Sequence, residues 1–288
     1  MISHSTKAPS RIAYGFWRYS RAETETAMRM MEAARAAGVD HFDTADVYGV
    51  GEFGGAETLL GEIRKRAPSL LSGVRLATKA GVESGTPYNA SADYLERAAE
   101  ASLRRLGVDA IDLFYVHRPD IFAHPAETAK ALDRLVASGK AKAVGVSNYA
   151  VAQVTALSAF LKSPLVAHQL EFSAIQVDPI FNGALDQAME RGMGVFAWSP
   201  LAGGRLFDGA DERSRRTRAA LEAYAKERGI DISTAALSFV GSHPSRPVPI
   251  VGTKSVERLK FCAAAGAGTM ERRDWYAILQ ASLGEKLP

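Results

Sequence analysis

Apolar positions along the chain fall into eight short runs separated by amphipathic stretches. The runs cover residues 11–14, 39–44, 74–79, 111–117, 141–147, 165–170, 194–199 and 248–251. Most are apolar through their length, which suits parallel strands covered on both faces better than a half-solvated sheet. Between them, apolar residues recur at helical spacing over 23–37, 56–66, 91–106, 125–138, 150–161, 179–191, 218–228 with 233–241, and 256–265. Glycines close several of these helices, as in AAGVDHF, SGKAKAV and ERGMGVF, the stop signal of helix-to-strand loops. Eight strand–helix units in 288 residues predict an α/β chain folded as a (β/α)8 TIM barrel. No linker-like composition divides it, so residues 1–288 read as a single domain with a C-terminal helix over 273–283. An open doubly wound sheet would need fewer strands or a second domain.

A barrel of this kind gathers the C-terminal ends of its strands on one face, where catalytic groups sit. Asp43, Lys79 and His117 end the second, third and fourth runs, in HFDTADVY, VRLATKAG and IDLFYVHRPD, and Tyr48 follows Asp43 by five positions. Each alone is ordinary: a turn cap, a solvated lysine, a hydrogen-bonded histidine. On adjacent strand ends they make a candidate proton-transfer site. A phenol is a poor acid at neutral pH unless its anion is stabilised, and a neighbouring ammonium lowers its pKa. Lys79 is expected to do so, with Asp43 keeping Lys79 charged and in place and His117 aiming a substrate oxygen at Tyr48. No activated nucleophile and no metal-ligand cluster accompanies them, so an electron pair would have to come from a cofactor.

Two regions compete for that cofactor. Gly49-Val50-Gly51-Glu52-Phe53-Gly54 matches the G-x-G-x-x-G dinucleotide pattern. In a dinucleotide unit, however, the first glycine ends the strand directly and an acid follows about twenty residues later. Here Asp43, Asp46 and Tyr48 intervene and the later acid is missing, so the stretch reads as a flexible active-site loop. The loops after the seventh and eighth runs, WSPLAGGRL from Trp198 and GTKS from Gly252, fit better. Small residues admit phosphate to backbone amides, a helix N-terminus favours anions, and Trp198 offers a flat face for a ring.

Composition narrows the field without adding chemistry. Net charge is +3 and 47% of residues are hydrophobic, an ordinary balance for a globular chain and no case for nucleic acid. Arg213, Arg215, Arg216 and Arg218 form a local basic cluster, either a solvated helix start or a contact for a phosphorylated ligand. Cys262 is the single cysteine, so no intramolecular disulfide forms. No run approaches a membrane span and MISHSTKAPSR has no leader-like apolar stretch, so a cytoplasmic protein is expected.

The motifs FDTADVYG, ATKAG, YVHRPD, GVSNY, WSPLAGG and IVGTKSVERL, in this order, resemble those of the aldo-keto reductase superfamily over essentially the whole chain. The resemblance is nearest to bacterial members acting on varied carbonyls. It implies an NAD(P)H-dependent oxidoreductase that interconverts an aldehyde or ketone and an alcohol, with Tyr48 as proton donor, Lys79 and Asp43 tuning it and His117 orienting the carbonyl. It also implies that Ser147, Asn148 and Gln169 hold the nicotinamide carboxamide and that Trp198 stacks on the ring. Ser199, Leu201, Gly203 and Arg205 would line the pyrophosphate, and Gly252, Lys254 and Arg258 the adenosine phosphate. Members commonly carry Glu-Asn where this chain has Phe261-Cys262, a departure that bears on adenine binding. Lys254, Arg258 and the arginine cluster would neutralise a 2′-phosphate, favouring NADPH over NADH. Phe16, Trp17, Phe53 and Tyr88 are expected to shape an apolar substrate pocket, with Arg18 and Arg118 favouring anionic or polar substrates. The superfamily also contains potassium-channel β subunits, so a cofactor-binding regulatory subunit with little turnover is a second reading. A Schiff-base lyase using Lys79 is a third.

Overall fold

Eight strands pair in parallel and in sequence order: β1 (Ala13–Gly15), β2 (His41–Asp43), β3 (Arg75–Ala80), β4 (Leu113–Val116), β5 (Val144–Ser147), β6 (Leu165–Glu171), β7 (Gly194–Trp198) and β8 (Val248–Val251). β8 closes on β1 through the pairs Ala13–Ile250 and Tyr14–Val251, which completes a (β/α)8 barrel. The structure, a computed structural model, describes residues 11–209, 211–265 and 269–288. The stretch read above for a leader lies almost wholly outside these residues. No helix among the described residues is long and apolar enough to cross a membrane.

Strand alternation explains how the barrel positions a site. Successive side chains point to opposite faces. Phe114, Val116, Val144 and Val146 belong to the large core between sheet and helices. Ala77, Leu113, Tyr115, Ala143 and Ala167 form a separate small cluster inside the barrel. His41 stacks on Phe196 across this interior at 4.6 Å. Two positions further along each strand, the inward series continues as Asp43, Lys79, His117, Ser147, Gln169 and Trp198. The candidate polar residues are thus the top inward layer, seated on an apolar plug.

One large side chain sets the height of that plug. Tyr115 lies over Gly145, where an added Cβ would come within 2.8 Å of the Tyr115 ring and 2.7 Å of the Ala167 carbonyl oxygen. Gly145→Ala is therefore expected to destabilise the protein by about 1–3 kcal/mol, the range for overpacking a dense core. Thermal unfolding measures it, and an unchanged midpoint would mean that the interior is slack.

The helices match the periodicity closely, with two instructive differences. The stretch 179–191 is two short helices, Asp178–Phe181 and Ala184–Glu190, because Gly183 turns left-handed (φ 79°) between them. The helix expected from residue 218 begins a turn and a half earlier, as Glu212–Arg228, because the Asp211 carboxylate caps it by accepting from the Ser214 amide at 2.7 Å. A run of arginines hid that start, since it carries no apolar periodicity. The C-terminal helix is Arg272–Leu283.

Candidate active site

The strands bring an acid, an ammonium and an imidazole together. The Lys79 ammonium is fully buried and donates to Asp43 Oδ2 at 2.7 Å and to the Thr44 carbonyl at 2.7 Å. Asp43 Oδ1 accepts from the Gln169 amide nitrogen at 2.8 Å, so both carboxylate oxygens are engaged. The ammonium also lies 4.9 Å from the centroid of the Tyr48 ring. Tyr48 and His117 meet edge to face, with centroids 5.6 Å apart.

Tyr48 is the member farthest from a strand end, and its loop is anchored at both ends. The Asp46 amide donates to the Lys79 carbonyl at 2.9 Å, and the Ala56 amide, on the helix Gly55–Arg66, donates to the Tyr48 carbonyl at 2.9 Å. Gly49 (φ 143°) is required there, since a Cβ would fall 2.3 Å from the Glu52 carbonyl oxygen. The GVGEFG glycines thus shape a turn that presents Tyr48.

Burial governs the charge states. Burial raises the Tyr48 pKa above its ordinary value, and the opposing field of Lys79 does not reverse it. The net direction is opposite to the sequence expectation, because desolvation of a phenolate outweighs one neighbouring cation. The phenol therefore holds its proton at neutral pH. Burial also works against the Lys79 charge, but Asp43 and Tyr48 more than compensate, so its pKa is raised and the group stays an ammonium. His117 is pushed well below its ordinary value by burial and then by Lys79 and Arg118, which leaves a neutral imidazole.

A cavity of about 1360 Å³ opens above this layer. Tyr48, Asp43 and His117 line its floor, and Trp17, Arg18, Tyr88 and Arg118 line it as well. Two expected pocket residues stand elsewhere. Phe53 is 48% exposed and away from the cavity. Phe16 is buried against the Tyr14, Tyr19 and Phe42 rings. Arg118 lies 5.7 Å over the Trp198 ring, and the Trp198 indole nitrogen donates to Asn148 Oδ1 at 2.9 Å, which fixes the ring face. The Asn148 amide nitrogen in turn donates to Ser147 Oγ and to the His117 carbonyl.

Ser147, Asn148, Gln169 and Trp198 line the middle of the cavity. Ser199, Leu201, Gly203, Gly252, Lys254 and Arg258 line its continuation toward β8. Arg205 does not face it: the guanidinium binds Glu171 at 3.3 Å and the Ala202 carbonyl at 3.2 Å. The arginine cluster is also engaged elsewhere. Arg213 donates to Ser282 and Arg216 to the Ala281 carbonyl, docking the C-terminal helix, while Arg215 and Arg218 bind the Gly209 and Phe207 carbonyls. The cluster is a helix-docking surface and lines no part of the cavity. Its contribution to a charge argument for NADPH is lost.

The structure adds residues that the sequence did not flag. Phe207, Asp231 and Ser233 join Phe261 and Cys262 at the far end of the cavity. Asp231 caps the helix Ile232–Gly241, which was its only visible signal. Beneath Tyr48, Asp46 is buried with both carboxylate oxygens lacking a hydrogen-bond partner. Glu57 lies in the same buried region, held by Thr78 and by Arg105 at 2.7 Å. Burial, reinforced by Glu57, pushes the Asp46 pKa from 3.8 to about 8.

The folded protein therefore keeps a proton on Asp46 that the unfolded chain releases above pH 3.8. The stability this group contributes is complete below that value and is lost as pH rises toward 8. Asp46→Asn, uncharged throughout, is expected to flatten the decline in unfolding temperature between mildly acidic and mildly alkaline buffer. A variant declining as steeply as the parent would refute it.

Comparison with known proteins bears on the family and the fold. The family model for the aldo/keto reductase family matches residues 11–281. A 6-dehydroglucose reductase of Novosphingobium aromaticivorans is 44% identical, covering 100% of this chain and 96% of that protein. A second 6-dehydroglucose reductase, from Agrobacterium fabrum, is 38% identical over 96% of both. The oxidoreductase YdhF of Escherichia coli is 32% identical over the full length of both. Among solved structures, the thermostable aldo-keto reductase Tm1743, in complex with the inhibitor epalrestat, matches with a TM-score of 0.82 at 23% identity, over 96% of this chain and 97% of that one. That match carries the fold. With the family model spanning nearly every described residue and the relatives matching end to end, the chain belongs to the aldo/keto reductase family.

Proposed function

We propose that this protein is a carbonyl reductase that uses a nicotinamide nucleotide, NADPH above NADH, and that Tyr48 supplies the proton. The observation that carries the reading is the buried Asp43–Lys79 pair beside Tyr48 on the floor of a cavity whose middle is walled by the oriented face of Trp198.

The residues present fit the nucleotide. Gly203 (φ 67°) and Gly204 (φ 110°) hold a left-handed backbone that L side chains rarely adopt, and a Cβ there would make only ordinary contacts, at 4.0 and 3.8 Å. Backbone of this kind admits a pyrophosphate. Ser147 and Asn148 would hold the carboxamide, Trp198 would stack on the ring, and Ser199 and Leu201 would border the phosphates. Gly252, Lys254 and Arg258 would meet the adenosine end. Gln169 gives one amide N–H to Asp43, which leaves its second N–H and its carbonyl oxygen for the carboxamide. When bound, the nicotinamide supplies the hydride.

The protein does the rest. Neutral His117 orients the carbonyl oxygen toward the Tyr48 hydroxyl. As negative charge builds on that oxygen, Tyr48 releases its proton, and the Lys79 ammonium stabilises the phenolate left behind. Asp43 prevents Lys79 from losing its charge. A lysine held as an ammonium is not the neutral amine that a Schiff-base lyase needs, which disfavours that alternative.

The relatives named as 6-dehydroglucose reductases favour a sugar-derived aldehyde as substrate. The cavity mouth suits one, since Trp17 and Tyr88 offer apolar faces and Arg18 and Arg118 offer hydrogen-bond donors to hydroxyls. Nucleotide oxidation with a panel of aldehydes that includes 6-dehydroglucose tests the reading. Turnover of at least one aldehyde is expected, fastest with the polyhydroxylated ones. A protein that binds the nucleotide yet turns over none of them would instead be a regulatory subunit.

A further inference from the structure

The adenosine end of the cavity contains an ion pair that has no part in proton transfer. Lys254, in the loop after β8, donates to Glu23 Oε1 at 2.6 Å, across 231 positions of sequence. Glu23 stands at the start of the helix Thr24–Ala36, which follows β1. Its other oxygen accepts from the Ser20 amide at 2.9 Å and the Ser20 hydroxyl at 3.1 Å, so the carboxylate is mounted rigidly. The hydrogen bonds from Lys254 and Ser20 hold its pKa below the ordinary carboxylate range, and it stays ionised at neutral pH.

The surroundings keep both partners in place. The Lys254 ammonium lies 4.8 Å over the Tyr19 ring. Tyr19 and Tyr14 share a hydroxyl hydrogen bond of 2.6 Å, and Tyr14 donates to the Thr253 carbonyl at 2.7 Å. Lys254 lines the cavity and Glu23 stands behind it. Lys254, Arg258 and Asp231 line this end of the cavity, and the Lys254 charge is already paired with Glu23. A phosphate arriving there finds less attraction than the two cations alone would provide.

We propose that Glu23 sets the discrimination between NADPH and NADH by holding Lys254 in an ion pair for which a cofactor 2′-phosphate must compete. The proposal rests on the reading of the cavity as a nicotinamide-nucleotide site. A 2′-hydroxyl makes no demand on Lys254 and leaves the pair intact. A 2′-phosphate needs the ammonium and is repelled by the carboxylate behind it. Glu23 therefore penalises NADPH selectively, whatever the absolute preference of the protein.

The test is the ratio of the dissociation constants of NADH and NADPH, read by quenching of tryptophan fluorescence without any substrate. In Glu23→Gln and Glu23→Ala the ratio is expected to move toward NADPH on the order of tenfold, and the gain to shrink at high salt. Lys254→Gln is expected to move it the opposite way, and serves if the Glu23 variants do not fold. Ratios within twofold of the parent in all folded variants would overturn the role of Glu23. Absence of binding of either nucleotide to the parent protein would instead remove the cofactor reading itself.

Discussion

Replacing Tyr48 with phenylalanine is expected to lower kcat for carbonyl reduction by about 10²–10⁴-fold, the usual worth of a positioned general acid. The substitution removes one oxygen and keeps the ring that meets His117 edge to face. The phenol has two influences acting on it: burial holds the proton on, and Lys79 stabilises the anion when the proton leaves. Phenylalanine removes the proton and leaves the cavity's shape intact, so nucleotide affinity and unfolding temperature should stay near those of the parent. The loss should fall on kcat, because the hydroxyl matters most when charge develops on the substrate oxygen. Steady-state kinetics with a reactive aldehyde and a separate nucleotide titration resolve these effects. A variant retaining kcat within threefold would eliminate Tyr48 as donor and point to a water or His117.

Lys79→Met should damage both activity and stability. Lys79 is fully buried, and its ammonium is the partner of Asp43 Oδ2 and of the Thr44 carbonyl. Methionine fills similar volume but leaves the buried Asp43 carboxyl group with Gln169 as its remaining side-chain partner. Breaking a buried pair on one side typically costs about 3–5 kcal/mol. The raised Lys79 pKa means that the native pairing is complete at neutral pH and is lost only at alkaline pH, as pH climbs through the folded-state value. The destabilisation should therefore be nearly constant across the neutral range. Adding Asp43→Asn to Lys79→Met removes the stranded carboxyl group and should restore much of the stability while the enzyme stays inactive. If the double variant is as unstable as the single one, the cost lies in packing and not in the unpaired carboxylate.

The barrel was legible because its strands are short apolar runs closed by glycine-terminated helices, and each run is compact enough for local pattern to define it. Strand ends were less so. β5 was read from residue 141, yet the regular ladder begins at Val144, with only an isolated bridge from Ala141 to Ile111 before it. Asp43, Lys79, His117 and Trp198 could be picked out because each stands at the end of an apolar run, whereas Ser147 and Gln169 came only from the family resemblance. Side-chain direction off the strands could not be read. Arg205 and the arginines at 213–218 have the right charge and the wrong orientation, and Phe53 lies close to Tyr48 in sequence while facing solvent. Long-range pairing was invisible as well: Glu23 and Lys254 meet only because the barrel closes. The Tyr48 pKa failed for a different reason, since desolvation depends on what covers a residue and a sequence does not state it.

The β1–β8 seam joins residues more than two hundred positions apart, and the Tyr14–Thr253 and Glu23–Lys254 bonds lie beside it. Contacts of such separation have a large loop-closure cost and tend to form late. During synthesis, a chain that has emerged as far as β7 already holds Asp43, Tyr48, Lys79 and His117. It still lacks the wall of Gly252, Lys254 and Arg258. The residues proposed for proton transfer are therefore all made before the last of those proposed to meet the nucleotide, and a nascent or truncated barrel has a cavity open along its β8 side. Competence arrives with the last strand.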